Sequence, residues 1–99
     1  MISVWINGQQ RDGIDEGWIG RTIQSARRKG EAVCARVSVK GDGLDLAVTA
    51  GNCPSTPGGR QPNPRERLIS EQWDACGLPA GDFAPGQLIQ CLKRLERTI

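Results

Sequence analysis

Residues 32–49 constrain this chain more than any other stretch. Val33, Ala35, Val37 and Val39 alternate with Cys34, Arg36, Ser38 and Lys40. After Gly41-Asp42-Gly43, Leu44, Leu46 and Val48 alternate with Asp45, Ala47 and Thr49. A period of two puts each set on its own side of a strand. Asp42-Gly43 suits the two left-handed positions of a type I′ turn, so the segment predicts a tight antiparallel hairpin. With that turn in place, Val39 faces Leu46, Val37 faces Val48 and Lys40 faces Asp45. A slip of one residue would turn charges into the core, so the pattern enforces its own register. One side is apolar and the other polar, as in an antiparallel sheet with one solvated face.

The other elements must cover the apolar side. Ile2, Val4 and Ile6 alternate with Ser3 and Trp5, and Asn7-Gly8 comes next, which predicts a first strand and a hairpin turn. The return strand over Gln9–Arg11 is too polar for anything but an edge. Asp15 caps a helix from Glu16 on which Trp18, Ile19, Ile23 and Ala26 share a face. Arg27, Arg28 and Lys29 complement its C-terminal dipole, and Gly30 stops it. Residues 51–62 hold three prolines and three glycines, which predicts a long surface loop. Asn63-Pro64-Arg65-Glu66 is a helix start. Leu68, Ile69, Trp73 and Cys76 form its apolar stripe, and Gly77 ends it. Phe83 and Leu88 are spaced as a hydrophobic staple at a last helix near Pro85, which carries Leu88, Leu92, Leu95 and Ile99 on one face.

The fold class predicted is α+β. A small antiparallel sheet of three to four strands has one face covered by three helices, in the order β(β)αββ-loop-αα. At 99 residues the chain fits a single domain over 1–99, with 51–62 as a surface loop and 63–99 as a C-terminal helical hairpin.

Several chemistries are poorly served by this composition. Histidine is absent, which removes the commonest general base and the Ser–His and Cys–His pairs. Tyrosine is absent too, so no catalytic set is assigned and the chain reads as a non-enzyme. The nearest two of Cys34, Cys53, Cys76 and Cys91 are fifteen positions apart, unlike the close thiol pairs of structural zinc sites. No metal and no cofactor is expected. The start of the chain has no signal-peptide pattern, and no stretch approaches the ~18 apolar residues of a membrane span. From these features we expect a cytoplasmic protein with four reduced thiols and no membrane partner. Cys76 and Cys91 then act as small hydrophobes on helix faces, and Cys53 is an inert exposed thiol.

The polar sheet face carries the binding candidates Trp5, Arg36, Ser38 and Lys40. A lone tryptophan on such a face is an anchor for a partner, and beside cations it suits stacking with a nucleotide base. The net charge is only +2, from 13 basic and 11 acidic residues. With Asp45 opposite Lys40, this face lacks the uncompensated positive charge that a phosphate backbone needs. The expected function is therefore a non-catalytic binding module that presents the polar sheet face or its edge to a protein partner or to a second copy. A nucleic-acid-binding module using Trp5, Arg36, Lys40 and the Arg27–Lys29 cluster ranks second. A small enzyme with its site at the 51–62 loop ranks third. In that loop, Ser55, Thr56 and Arg60 form an anion-binding candidate of hydroxyls, flexible amides and a guanidinium, without the Lys-Ser/Thr ending of a P-loop.

Overall fold

The computed structural model describes residues 1–55 and 60–99. Its elements are β1 (Ile2–Ile6), β2 (Gln9–Asp12), α1 (Glu16–Arg28), β3 (Cys34–Gly41), β4 (Leu44–Gly51), α2 (Pro64–Ala75) and α3 (Pro85–Thr98). The two hairpins close where the turn residues predict. Asn7 and Gly8 have φ of 48° and 87°, and Asp42 and Gly43 have 49° and 78°, as a type I′ turn demands.

The strands form one sheet in the order β2-β1-β3-β4, with every neighbouring pair antiparallel. Val39 pairs with Leu46, Val37 with Val48 and Lys40 with Asp45, the register that the alternation enforces. β1 enters beside β3, with Val4 opposite Val37 and Trp5 opposite Arg36. Ile2, Val4, Ile6, Ala35, Val37, Val39 and Val48 are consequently buried on one face.

The helices supply the other half of a single hydrophobic cluster. α1 contributes Trp18, Ile19, Ile23 and Ala26, and α3 contributes Leu88, Cys91, Leu92 and Leu95. The Asp15 carboxylate caps α1 by accepting from the Trp18 N–H at 3.1 Å. At its other end Glu31 N–H donates to the Ala26 carbonyl and Gly30 N–H to that of Arg27, a Schellman stop. Asn63 and Glu66 cap the start of α2 reciprocally.

α2 departs from its predicted stripe. Leu68 is 52% exposed, whereas Glu66 is fully buried with Ile69 and Trp73. Positions 66, 69 and 73 lie on one helical face, and this face turns Leu68 outward.

The cysteines require a correction. They are not free thiols: Cys34 is bridged to Cys53 and Cys76 to Cys91, with Cα–Cα distances of 4.8 and 5.9 Å. Cys53 is thus no inert exposed thiol, and Cys76 and Cys91 are more than small hydrophobes. The hairpin register sets Cys34 opposite Gly51, so Cys53, two residues further on, returns to it. Cys76 caps the C-terminus of α2 and meets Cys91 in the middle of α3, which pins the two helices together. Among the described residues, no helix is long and apolar enough to cross a membrane.

Candidate interaction face

Strand parity assembles the polar face. One cross-strand row runs Gln10, Trp5, Arg36, Thr49, and the next runs Asp12, Ser3, Ser38, Ala47. Lys40 and Asp45 make a third row. All four sheet candidates therefore share one face, opposite to the one the helices cover. Trp5 is 38% exposed, Arg36 and Ser38 are half-buried, and Lys40 is exposed. Arg36 and Lys40 are matched on this face by Asp12 and Asp45. The Asp12 carboxylate accepts from Ser3 Oγ at 2.9 Å and Gln10 Nε2 at 3.1 Å. None of the three ion pairs among the described residues involves Arg36 or Lys40.

A disulfide builds the wall of this site. Gly51 has φ +80°, and a Cβ there would run into the Val33 carbonyl and the Phe83 ring, so only glycine fits this turn. Beyond it, Asn52 N–H donates to the Val33 carbonyl at 2.9 Å. The Cys34–Cys53 bridge then folds the chain back over the end of the polar face. Pro54 lands beside Trp5. These residues, with Asn7, Gly8 and Arg36, line a concavity of about 340 Å³. Its side is held open by the Asn7 side chain, which accepts from Cys34 N–H at 2.8 Å and donates to the Ala32 carbonyl at 3.1 Å. The lining is the Trp5 indole, the Pro54 ring and Cys34, with the Arg36 guanidinium, the Asn7 amide and Gly8. It suits an apolar or aromatic side chain next to a carboxylate or carbonyl, and it contains no nucleophile and no general base.

The outer edge of β4 is partly covered by side chains. Asn7 N–H donates to the Cys34 carbonyl and Lys40 N–H to that of Met1. Even-numbered residues of β3 therefore bond to β1 and odd ones to β4, since antiparallel pairs alternate. Through the Val37–Val48 register, the backbone groups of Asp45, Ala47 and Thr49 point away from the sheet. Asp45 N–H donates to Glu66 Oε2 at 2.7 Å, Arg60 Nη2 to the Asp45 carbonyl at 3.1 Å, and Trp73 Nε1 to the Thr49 carbonyl at 3.0 Å.

Arg60 also grips Glu66 with two nitrogens, at 2.7 and 2.5 Å. These bonds, then those from the backbone N–H groups of Asn63 and Asp45, pull the Glu66 pKa down to about 2. The same carboxylate raises the Arg60 pKa. Arg60, a candidate for an external anion, thus holds an internal one. Ser55 is exposed near the wall, and Thr56 lies outside the described residues. The Arg27–Lys29 cluster belongs to the helical layer rather than to the Trp5 face. Arg27 pairs with Asp82 at 2.7 Å, donates to the Phe83 carbonyl and lies 5.7 Å from the Phe83 ring centre.

Residue-by-residue reading did not find Pro54, the disulfide wall or the role of Glu66. A signal for the first two existed, because the hairpin register already places Cys34 near Cys53. Glu66 was visible only as a capping residue. No family model, no curated protein and no solved structure matches the chain.

Proposed function

We propose that the protein is a non-catalytic interaction module that presents its polar sheet face to a protein partner or to a second copy of itself. One observation carries this reading: Trp5 stands 38% exposed in a concavity whose opposite wall, Pro54, is fastened by a disulfide. A large aromatic surface held in a rigid recess is the usual form of an interface anchor. The bridge one residue before Pro54 tethers the wall to β3, which limits the ordering that binding must supply. Arg36 beside the ring offers a charge-assisted hydrogen bond to a carboxylate or carbonyl of the partner.

Charge favours protein over nucleic acid. Arg36 and Lys40 share the face with Asp12 and Asp45, so the positive field that a phosphate backbone requires is cancelled. The basic end of α1 does not extend it. The cytoplasmic setting expected from the lack of a signal-peptide pattern implies reduced thiols, whereas the cysteines are bridged. Two disulfides suit an oxidising compartment instead.

The test is the size of the wild type and of Trp5→Ala in solution, followed by titration with single- and double-stranded oligonucleotides at two salt concentrations. Self-association that Trp5→Ala abolishes supports the second-copy form of the reading. If the wild type is monomeric, the partner is another protein, and cross-linking from a benzophenone at position 49 must then depend on Trp5. Tight, salt-dependent oligonucleotide binding that Arg36→Ala removes would reverse the ranking.

A further inference from the structure

The β2 edge is the counterpart of the β4 edge, and among the described residues nothing hydrogen-bonds to its outward backbone groups. Gly13 N–H donates to the Ile2 carbonyl at 2.7 Å. By alternation along the β1–β2 register, Gln9 and Arg11 bond to β1, and the backbone groups of Gln10 and Asp12 point outward. All four residues of β2 are exposed. Alongside lies a groove of about 540 Å³ between β2 and α1, lined among others by Gln9, Arg11, Trp18, Arg21, Ser25 and Lys29. Arg11 lies over the Trp18 ring, 5.8 Å from its centre. No ion pair among the described residues involves Arg11, Arg21 or Lys29. Glu31 is the one acid in the lining.

We propose that this edge and groove bind an extended acidic peptide, added to the sheet as a fifth strand against β2. The outward groups of Gln10 and Asp12 offer the backbone hydrogen bonds of strand addition, and side-chain pockets at alternate positions supply specificity. On an added strand, every second side chain points to the helix side, where the three cations lie. From Trp18 to Lys29 the helix runs about 16 Å at 1.5 Å per residue, which matches about five extended residues at 3.3 Å each. Acidic side chains on the helix side of such a strand would face the groove that Arg11, Arg21 and Lys29 line. A nucleic acid would use the cations but leave the strand-edge groups unpaired. This site stands apart from the Trp5 face and does not rest on the reading of it.

The test uses the disulfide-intact protein and a fluorescein-labelled octapeptide of alternating Glu and Val, followed by anisotropy. Controls are the matching Lys/Val octapeptide and a labelled fifteen-residue oligo-dT. The Glu/Val peptide should bind at least tenfold more tightly than either. Combined Arg21→Glu and Lys29→Glu should weaken it at least tenfold. Gln10→Pro, which removes an outward N–H that the fold itself does not use, should weaken it similarly. Trp5→Ala should change it less than threefold, which separates this site from the anchor on the opposite face. Amide exchange on the wild type gives a readout independent of any variant: Gln10 and Asp12 should slow in the complex. No binding, indifference to the charge reversal, unchanged exchange at those two amides, or tighter binding of oligo-dT would each overturn the proposal.

Discussion

The two edges of this sheet handle the same problem in opposite ways. An edge strand exposes unpaired backbone groups and invites another chain to pair with it. On β4, Arg60, Glu66 and Trp73 cover three of those groups with side chains, both at Asp45 and the carbonyl of Thr49. On β2 the corresponding groups of Gln10 and Asp12 meet no such cover among the described residues, and the strand is only four residues long. The difference comes from the path the chain takes after each hairpin. Beyond β4, Arg60 and the start of α2 lie beside Asp45 on that edge. After β2 it turns under the sheet into α1 and leaves the edge outside. One edge is partly covered within the fold, and the other keeps its outward backbone groups exposed.

The largest test of this contrast is Trp73, which is buried and also caps Thr49. Trp73→Ala should lower stability by about 3–5 kcal/mol, as for other buried aromatics. Trp5→Ala removes only a cross-strand contact of about 0.2–1 kcal/mol. Equal losses in denaturant titrations would mean that Trp5 belongs to the core and that the polar face is not a free surface.

Reduction comes next. Each bridge closes a loop of 15 to 19 residues and should contribute about 3 kcal/mol. A reductant should shift the unfolding midpoint sharply, and Trp5 emission should change because the Cys34–Cys53 bridge positions Pro54. A midpoint unmoved by reductant would show the bridges to be absent in solution.

Acid should act on one edge first. Glu66 titrates near 2 when folded and near the ordinary carboxylate value when unfolded. Its folded pKa is depressed, so its contribution to stability is complete above about 4.5 and is lost as pH falls toward about 2. Glu66→Gln should flatten the stability profile in that window. An unchanged profile would remove Glu66 as the plug of the β4 edge.

The smallest effect distinguishes the edges most directly. Gln10→Pro deletes an N–H that the fold does not use and should cost about 1 kcal/mol or less, within the range of surface changes. Asp45→Pro deletes one that Glu66 accepts and should cost clearly more. The order of the two midpoints checks this, and a reversed order would reverse the assignment of the open edge.

The elements and their facing were determined by the sequence itself. Period two in β1, β3 and β4, period 3.6 in α1 and α3, and turn residues at 7–8 and 42–43 are local signals, because each depends only on near neighbours along the chain. They also sufficed to place Trp5, Arg36, Ser38 and Lys40 on one face. The partners across distance were decided only by the tertiary structure. Glu66 carries the sequence signature of a capping residue, and whether it is buried depends on Arg60 and the β4 edge arriving beside it. Four cysteines allow three pairings, and spacing alone does not choose among them. Leu68 fits an apolar stripe until Glu66 and Trp73 fix the rotation of α2. Burial and pairing are properties of surfaces brought together by the whole fold, whereas periodicity is a property of one segment.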